Sequence, residues 1–184
     1  MASSHLILGG ARSGKSRFAL AGVPGHARVA FVATAQAGDG DMAARIARHR
    51  AERPRGWLTV EEPWALVPRL SSLAREADCV VVDCVTVWVA NLLLRGDADT
   101  AILATADELA VLVGRGLFDL TLVSNEVGAG VVPPTADGRR FRDLLGFANQ
   151  RLAAACDRVT LMVAGLPLTI KIPGPGHDLA QQTA

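Results

Sequence analysis

Short apolar runs rich in β-branched residues alternate along this chain with longer stretches whose apolar residues recur every three to four positions. The first kind reads as strands buried on both faces and the second as crossover helices, the pattern of a parallel sheet. Strands are expected at 5–8, 29–34, 79–83, 120–124, 159–164 and 168–171, and helices at 15–21, 42–53, 64–75, 87–94, 102–113 and 139–156. Only Gly165-Leu166-Pro167 separates the last two strands, too little for a helical crossover. The final strand is therefore expected to pair antiparallel, at an edge. Periodicity stops near Ile172, so residues 1–172 read as a single α/β domain and 173–184 as a flexible tail.

Composition narrows the class. At 184 residues the chain is long enough for one continuous core and too short for two ordinary domains. Half of it is hydrophobic and 20% is charged, which excludes disorder, and a net charge of only +1 argues against a nucleic-acid binder. The longest apolar stretches are broken by Asp83 or fall well short of the roughly 20 residues of a membrane span. With no secretory signal at the Met1 end, the cytoplasm is the expected compartment. Cys79, Cys84 and Cys156 form no CxxC pair and read as reduced core residues rather than a disulfide framework.

Candidate chemistry begins at Gly9-Gly10-Ala11-Arg12-Ser13-Gly14-Lys15-Ser16, which matches G-x-x-x-x-G-K-[ST] between an expected strand and an expected helix. The glycines let backbone N–H groups turn inward, the helix start adds a positive field, Lys15 reaches terminal phosphates and Ser16 can ligate Mg²⁺. Residues 1–172 thus read as a phosphate-loop nucleotide-binding domain. A second signal is Cys79-Val80-Val81-Val82-Asp83, an apolar strand ending in a carboxylate. Beside a phosphate loop such an acid holds the Mg²⁺ shell, although a strand-end Asp serves equally as a helix cap.

The segment 39–54 opens on acids, closes at Pro54 and reads as a helix. Arg45 and His49 lie four residues apart and share a face with Arg53. A cationic neighbourhood disfavours protonation of His49 and keeps its nitrogen available as a nucleophile; spacing alone equally allows an incidental histidine on a solvated helix.

GGARSGKS, FVATAQ, DMAARIARHRAERPRGWLTVEEP, VVVDCVTVWVANLL, VSNEVGAGVVP and FRDLLGFANQRLAAACDRVTLMVAGLPLTIK, in this order, resemble the bifunctional adenosylcobinamide kinase and adenosylcobinamide-phosphate guanylyltransferases of cobalamin biosynthesis. The resemblance runs from about Leu6 to Lys171. It implies a RecA-like α/β fold and a homotrimer. It further implies phosphorylation of adenosylcobinamide by ATP or GTP, then transfer of GMP from GTP to adenosylcobinamide phosphate through a covalent intermediate on His49. Nucleotide contacts are implied for Gly9 to Ser16, for Ala33, Thr34 and Ala35, for Arg50, Ala51, Glu52 and Arg53, and for Glu61 and Asp83. A simple phosphate-loop kinase with His49 idle, and a nucleotide-dependent switch, are the competing readings of the same residues.

Other positions carry less. Asn125-Glu126-Val127-Gly128-Ala129-Gly130 follows a strand where open α/β sheets bind ligands, and serves equally as turn and cap residues. Arg139, Arg140 and Arg142 open a helix as a solvated basic face. Trp57, Trp64 and Trp88 either meet a corrin ring or pack in the core, the commoner fate. His5, His26 and His177 receive no role.

Overall fold

The computed structural model describes residues 2–25, 27–36 and 56–173. Their strands form one seven-stranded sheet: β1 (Ser4–Gly9), β2 (Val29–Ala33), β3 (Leu58–Glu61), β4 (Cys79–Asp83), β5 (Asp119–Val123), β6 (Arg158–Val163) and β7 (Leu166–Lys171), in the order β3-β2-β4-β5-β1-β6-β7. All neighbours run parallel except β6 and β7, whose antiparallel pairing at the edge is the one expected from the short connection. The described helices are α1 (Lys15–Ala21), α2 (Leu66–Leu73), α3 (Val85–Arg95), α4 (Asp99–Gly114) and α5 (Ala136–Ala155).

Period-2 alternation divides the sheet's side chains between two apolar layers. Leu6, Ala30, Val32, Val80, Val82, Leu120 and Leu122 pack with the buried residues of α2, α3, α4 and α5. Ile7, Phe31, Val81, Val123 and Met162 face the other way, against Ala19 of α1. Both faces are covered, which is why β4 reads as an unbroken apolar run rather than as alternation.

Helices α3, α4 and α5 each begin two or three residues earlier than the sequence expectation, and three further departures have a local physical cause. β3 was not anticipated: it is four residues long and only Val60 of it is buried, so the apolar signal is nearly absent, yet its backbone pairs parallel to β2. The β6–β7 turn is Ala164-Gly165 rather than residues 165–167, with φ of 51° and 83°. Positive φ at both turn residues suits the right-handed twist of a two-residue hairpin. Pro167 then falls inside β7, where an edge strand tolerates the missing N–H. Finally, α2 starts at Leu66, leaving Trp64 before the helix, because Glu62 Oε1 accepts from the Trp64 and Ala65 backbone N–H groups in a preceding turn.

The expected helix at 42–53 and all of the expected tail except Pro173 lie outside the described residues. At the end of the described chain, the Lys171 ammonium donates to the carbonyls of Ala153, Ala154 and Cys156 at 3.1, 2.8 and 2.6 Å. These are carbonyls that the end of α5 leaves without helical partners, and a cation there also meets the negative end of the helix dipole.

Candidate active site

Register places the candidate residues level with one another. Ala33 pairs with both Glu61 and Asp83, and Asp83 pairs with Val123, so the ends of β2, β3, β4 and β5 form a row at the carboxyl edge of the sheet. β1 runs past that row: Ile7 is level with Val123, Gly9 ends the strand two residues further on, and the loop 10–14 carries the chain into α1. This is the edge at which open parallel sheets bind ligands.

The loop's shape follows from its glycines. Gly14 is left-handed at φ 91° and sits at the N-cap of α1, and Arg12, exposed, is also left-handed at φ 57°. Gly9 lies so close to β6 that a Cβ on it would stand 2.6 Å from the Met162 carbonyl oxygen and 2.7 Å from Ser13 Oγ. The Ser13 carbonyl accepts from the Gly165 N–H at 3.1 Å, which ties the loop to the β6–β7 turn.

Lys15 is the first residue of α1 and only 8% exposed. Its ammonium donates to the Gly10 carbonyl at 2.6 Å and to Ser13 Oγ at 3.4 Å. Burial lowers its pKa from the usual lysine value, opposed by the electrostatic influence of Cys84 and then of Asp83. Ser16 follows, half-buried, on the first turn of α1.

Asp83 closes β4 with Oδ2 buried and without a hydrogen-bond partner among the described residues. A buried carboxylate oxygen left bare is costly and marks a place meant for a further partner. Beside it, Cys84 has its thiol pushed up to about 12, chiefly by burial, and is no nucleophile at neutral pH.

Thr34, fully buried, donates through Oγ1 to the Cys84 carbonyl at 2.8 Å and accepts from the Cys84 N–H at 2.9 Å. Its side chain therefore staples β2 to β4, and any ligand contact at this point falls to backbone or to Ala33 and Ala35. The Asn91 carboxamide spans the Thr34 and Pro63 carbonyls at 2.8 and 3.0 Å and extends the same staple to the segment after β3.

A polar ring not legible in the sequence lies beneath the edge. Ser124 Oγ donates to Asn149 Oδ1 at 2.7 Å, Asn149 Nδ2 donates to the Asn125 carbonyl at 3.0 Å, and the Asn125 N–H donates to Thr86 Oγ1 at 2.6 Å. Thr86 Oγ1 and Ser124 Oγ are 3.3 Å apart. Because the Ser124 proton is committed to Asn149, the Thr86 hydroxyl must donate to Ser124. Glu126 then donates its N–H to the Gly9 carbonyl at 3.1 Å, while its carboxylate accepts from the Gly128 N–H.

His49, Arg50, Ala51, Glu52 and Arg53 lie outside the described residues. Of the tryptophans, Trp88 is fully buried with Nε1 donating to the Trp64 carbonyl, Trp57 packs beside the α1 layer, and Trp64 remains 41% exposed. Not all of the Arg139–Arg142 face is free: Arg139 donates to the Pro133 and Pro134 carbonyls, Arg140 pairs with Asp99, and Arg142 with Asp143.

Comparison with known proteins agrees with this geometry. Residues 5–170 match the family described as cobinamide kinase / cobinamide phosphate guanyltransferase. The chain is 52% identical over 171 residues to the bifunctional adenosylcobalamin biosynthesis protein CobP of Pseudomonas aeruginosa, covering 90% of this chain and 96% of the relative. It is 41% identical over 178 residues to the bifunctional adenosylcobalamin biosynthesis protein CobU of Escherichia coli, covering 90% and 98%. Among solved structures it is similar to a type III secretion system ATPase, with a TM-score of 0.55 and 12% identity, over 91% of this chain and 56% of that one. That likeness speaks to the fold alone.

Proposed function

The chain belongs to the cobinamide kinase / cobinamide phosphate guanyltransferase family, and on that premise we propose that it phosphorylates the aminopropanol hydroxyl of adenosylcobinamide and then transfers GMP from GTP to the new phosphate. The observation that carries this reading is a buried lysine on a phosphate loop within the electrostatic reach of a buried, bare carboxylate oxygen at the end of β4.

Asp83 Oδ2 and the Ser16 hydroxyl suit a hard divalent cation, which takes oxygen ligands. These two residues would hold Mg²⁺, whose chemistry there is to neutralise charge on phosphate oxygens. In the kinase step, with ATP or GTP as donor, the substrate hydroxyl oxygen bonds to the γ-phosphorus. The bond to the β–γ bridging oxygen breaks, the nucleoside diphosphate leaves with the electron pair and the hydroxyl proton passes to solvent. The loop N–H groups and Lys15, exchanging the Gly10 carbonyl for phosphate oxygens, stabilise the charge that spreads over the transferring group.

In the second reaction a nitrogen of His49 bonds to the α-phosphorus of GTP and pyrophosphate leaves. A phosphate oxygen of adenosylcobinamide phosphate then displaces the histidine, the P–N bond breaks and adenosylcobinamide-GDP forms. Ala33, Thr34, Ala35, Glu61 and the segment Arg50 to Arg53 are the further nucleotide contacts of this reading. We place the enzyme in the cytoplasm as a homotrimer. Leu166, Leu168 and Ile170 on the edge strand, 71%, 55% and 59% exposed, offer apolar surface for assembly, and no helix among the described residues is long and apolar enough to cross a membrane.

Incubation with GTP labelled at the α-phosphate, followed by denaturing electrophoresis, tests the reading. The expected label survives alkali and is lost in acid, since protonating the imidazole makes it a good leaving group. His49→Ala is expected to abolish label and guanylyl transfer while phosphate transfer continues. An acid-labile label on the His49→Ala chain would overturn the assignment.

A further inference from the structure

The Thr86–Ser124–Asn149 ring closes on the backbone of a single residue, Asn125, gripping its N–H from α3 and its carbonyl from α5. One residue later Glu126 is fastened to Gly9, the root of the phosphate loop. Asn125 therefore stands between the two halves of the phosphate site. β5 lies between β4, which ends in Asp83, and β1, which ends in Gly9, and Val123 is in register with both Asp83 and Ile7. Its half-buried carboxamide has no hydrogen-bond partner among the described residues, whereas the carboxamides of Asn91 and Asn149 each make two hydrogen bonds to protein.

Directional bonds explain why so much is spent on one residue's backbone. Each hydroxyl in the ring both donates and accepts, so the arrangement has one satisfied orientation and fixes the Asn125 backbone without recourse to water. A side chain borne on such a backbone is preorganised, which is what a donor to a charge-developing phosphoryl group requires.

We propose that Asn125 is a phosphoryl-contacting residue of the kinase step, its carboxamide N–H₂ donating to an oxygen of the transferring γ-phosphoryl group, and that Thr86, Ser124 and Asn149 are positioning residues that aim it. This rests on the kinase reading above. It also separates the two reactions, because in guanylyl transfer the γ-phosphate departs within pyrophosphate and bears no developing charge.

The test compares both half-reactions in Asn125→Ala, Thr86→Val and Thr86→Ser. Loss of one preorganised donor lowers kinase kcat about 10²-fold in Asn125→Ala, and the fall exceeds that in His49 labelling by at least about tenfold. Thr86→Val, of the same shape but without the hydroxyl, lowers kinase kcat about tenfold with little change in KM, and Thr86→Ser restores it. Melting temperatures report folding of each variant. A second measurement needs no corrinoid: calorimetric binding of Mg·GDP with and without aluminium fluoride, a mimic of the transferring phosphoryl group. Asn125→Ala is expected to lose the fluoride-dependent gain in affinity and to keep that for Mg·GDP. Parallel loss of both half-reactions, equal kinase rates in wild type and Asn125→Ala, or an undiminished fluoride effect would overturn the inference. A wild-type chain that phosphorylates no adenosylcobinamide would instead overturn the proposed function, with the fluoride measurement still deciding the role of Asn125.

Discussion

Gly9→Ala puts the phosphate loop under a load whose size can be worked out in advance. The added Cβ would meet the Met162 carbonyl oxygen at 2.6 Å and Ser13 Oγ at 2.7 Å. Ser13 can rotate away. The Met162 carbonyl cannot, because it belongs to the β6 backbone directly in register with Gly9. Normal contact requires the end of β1 to move from β6 by more than half an ångström, a core overpacking of the kind that costs about 1–3 kcal/mol. For a chain of this length each kcal/mol is worth roughly 2–4 °C, so melting is expected to fall by about 2–12 °C. The same displacement strains the Gly9–Glu126 hydrogen bond and crowds Ser13, which accepts from Lys15. Nucleotide affinity is expected to fall by at least about tenfold, roughly 1.4 kcal/mol. Gly10→Ala is the control, since a Cβ there meets nothing within 4 Å; its melting temperature stays within about 1 °C of wild type, as for an unstrained surface change. Thermal melts followed by circular dichroism, with titration calorimetry for GTP, measure both quantities. A Gly9→Ala chain as stable as Gly10→Ala would refute the close approach of β1 to β6.

Two further outcomes follow from single side chains. Asp83→Asn keeps the shape but not the charge at the bare oxygen, so activity should need far more Mg²⁺ while the fold persists; an unchanged Mg²⁺ titration would make Asp83 a structural cap. His5, hydrogen-bonded to Thr160 Oγ1 at 2.8 Å, has its pKa lowered from 6.5 to about 4, chiefly by burial and secondarily by Arg158. The unfolded chain thus binds a proton that the folded chain refuses, so this contribution is present above pH 6.5 and drains away as pH falls toward 4. Discounted for the solvent that still reaches the ring, the loss is about 1–2 kcal/mol. His5→Gln should therefore narrow the stability gap to wild type, or cross it, between pH 7 and pH 4; parallel pH profiles would refute the argument.

What the sequence made legible is what has a local physical cause. The phosphate loop was readable because glycines, lysine and hydroxyl must stand at fixed spacing between a strand and a helix, and the structure sets them there. The antiparallel β7 followed from the length of its connection. The edge strand β3 was lost because three of its four side chains are exposed, which leaves almost no apolar pattern to read. The Thr86–Ser124–Asn149 ring joins residues 25 and 38 positions apart, each unremarkable in its own segment. That Asp83 lies within reach of Lys15 depends on the order of β4, β5 and β1, which no single segment carries. Thr34, implied as a nucleotide contact, proved to spend its hydroxyl on Cys84 because it is buried where β2 and β4 must be held together.

Lys171 has a consequence for solubility. β7 exposes Leu166, Leu168 and Ile170, and as the outermost strand it offers an open row of backbone groups. Its far end is held by pairing with Val159 of β6 and by one ammonium spread over three carbonyls at the end of α5. Were that grip to slip, the hairpin would fray from its end, and β6, with Val159 and Leu161 paired to β7, would become a second sticky edge. The same residue that finishes a helix thereby acts as a gatekeeper, keeping neighbouring copies of the chain from stacking strand upon strand into aggregates.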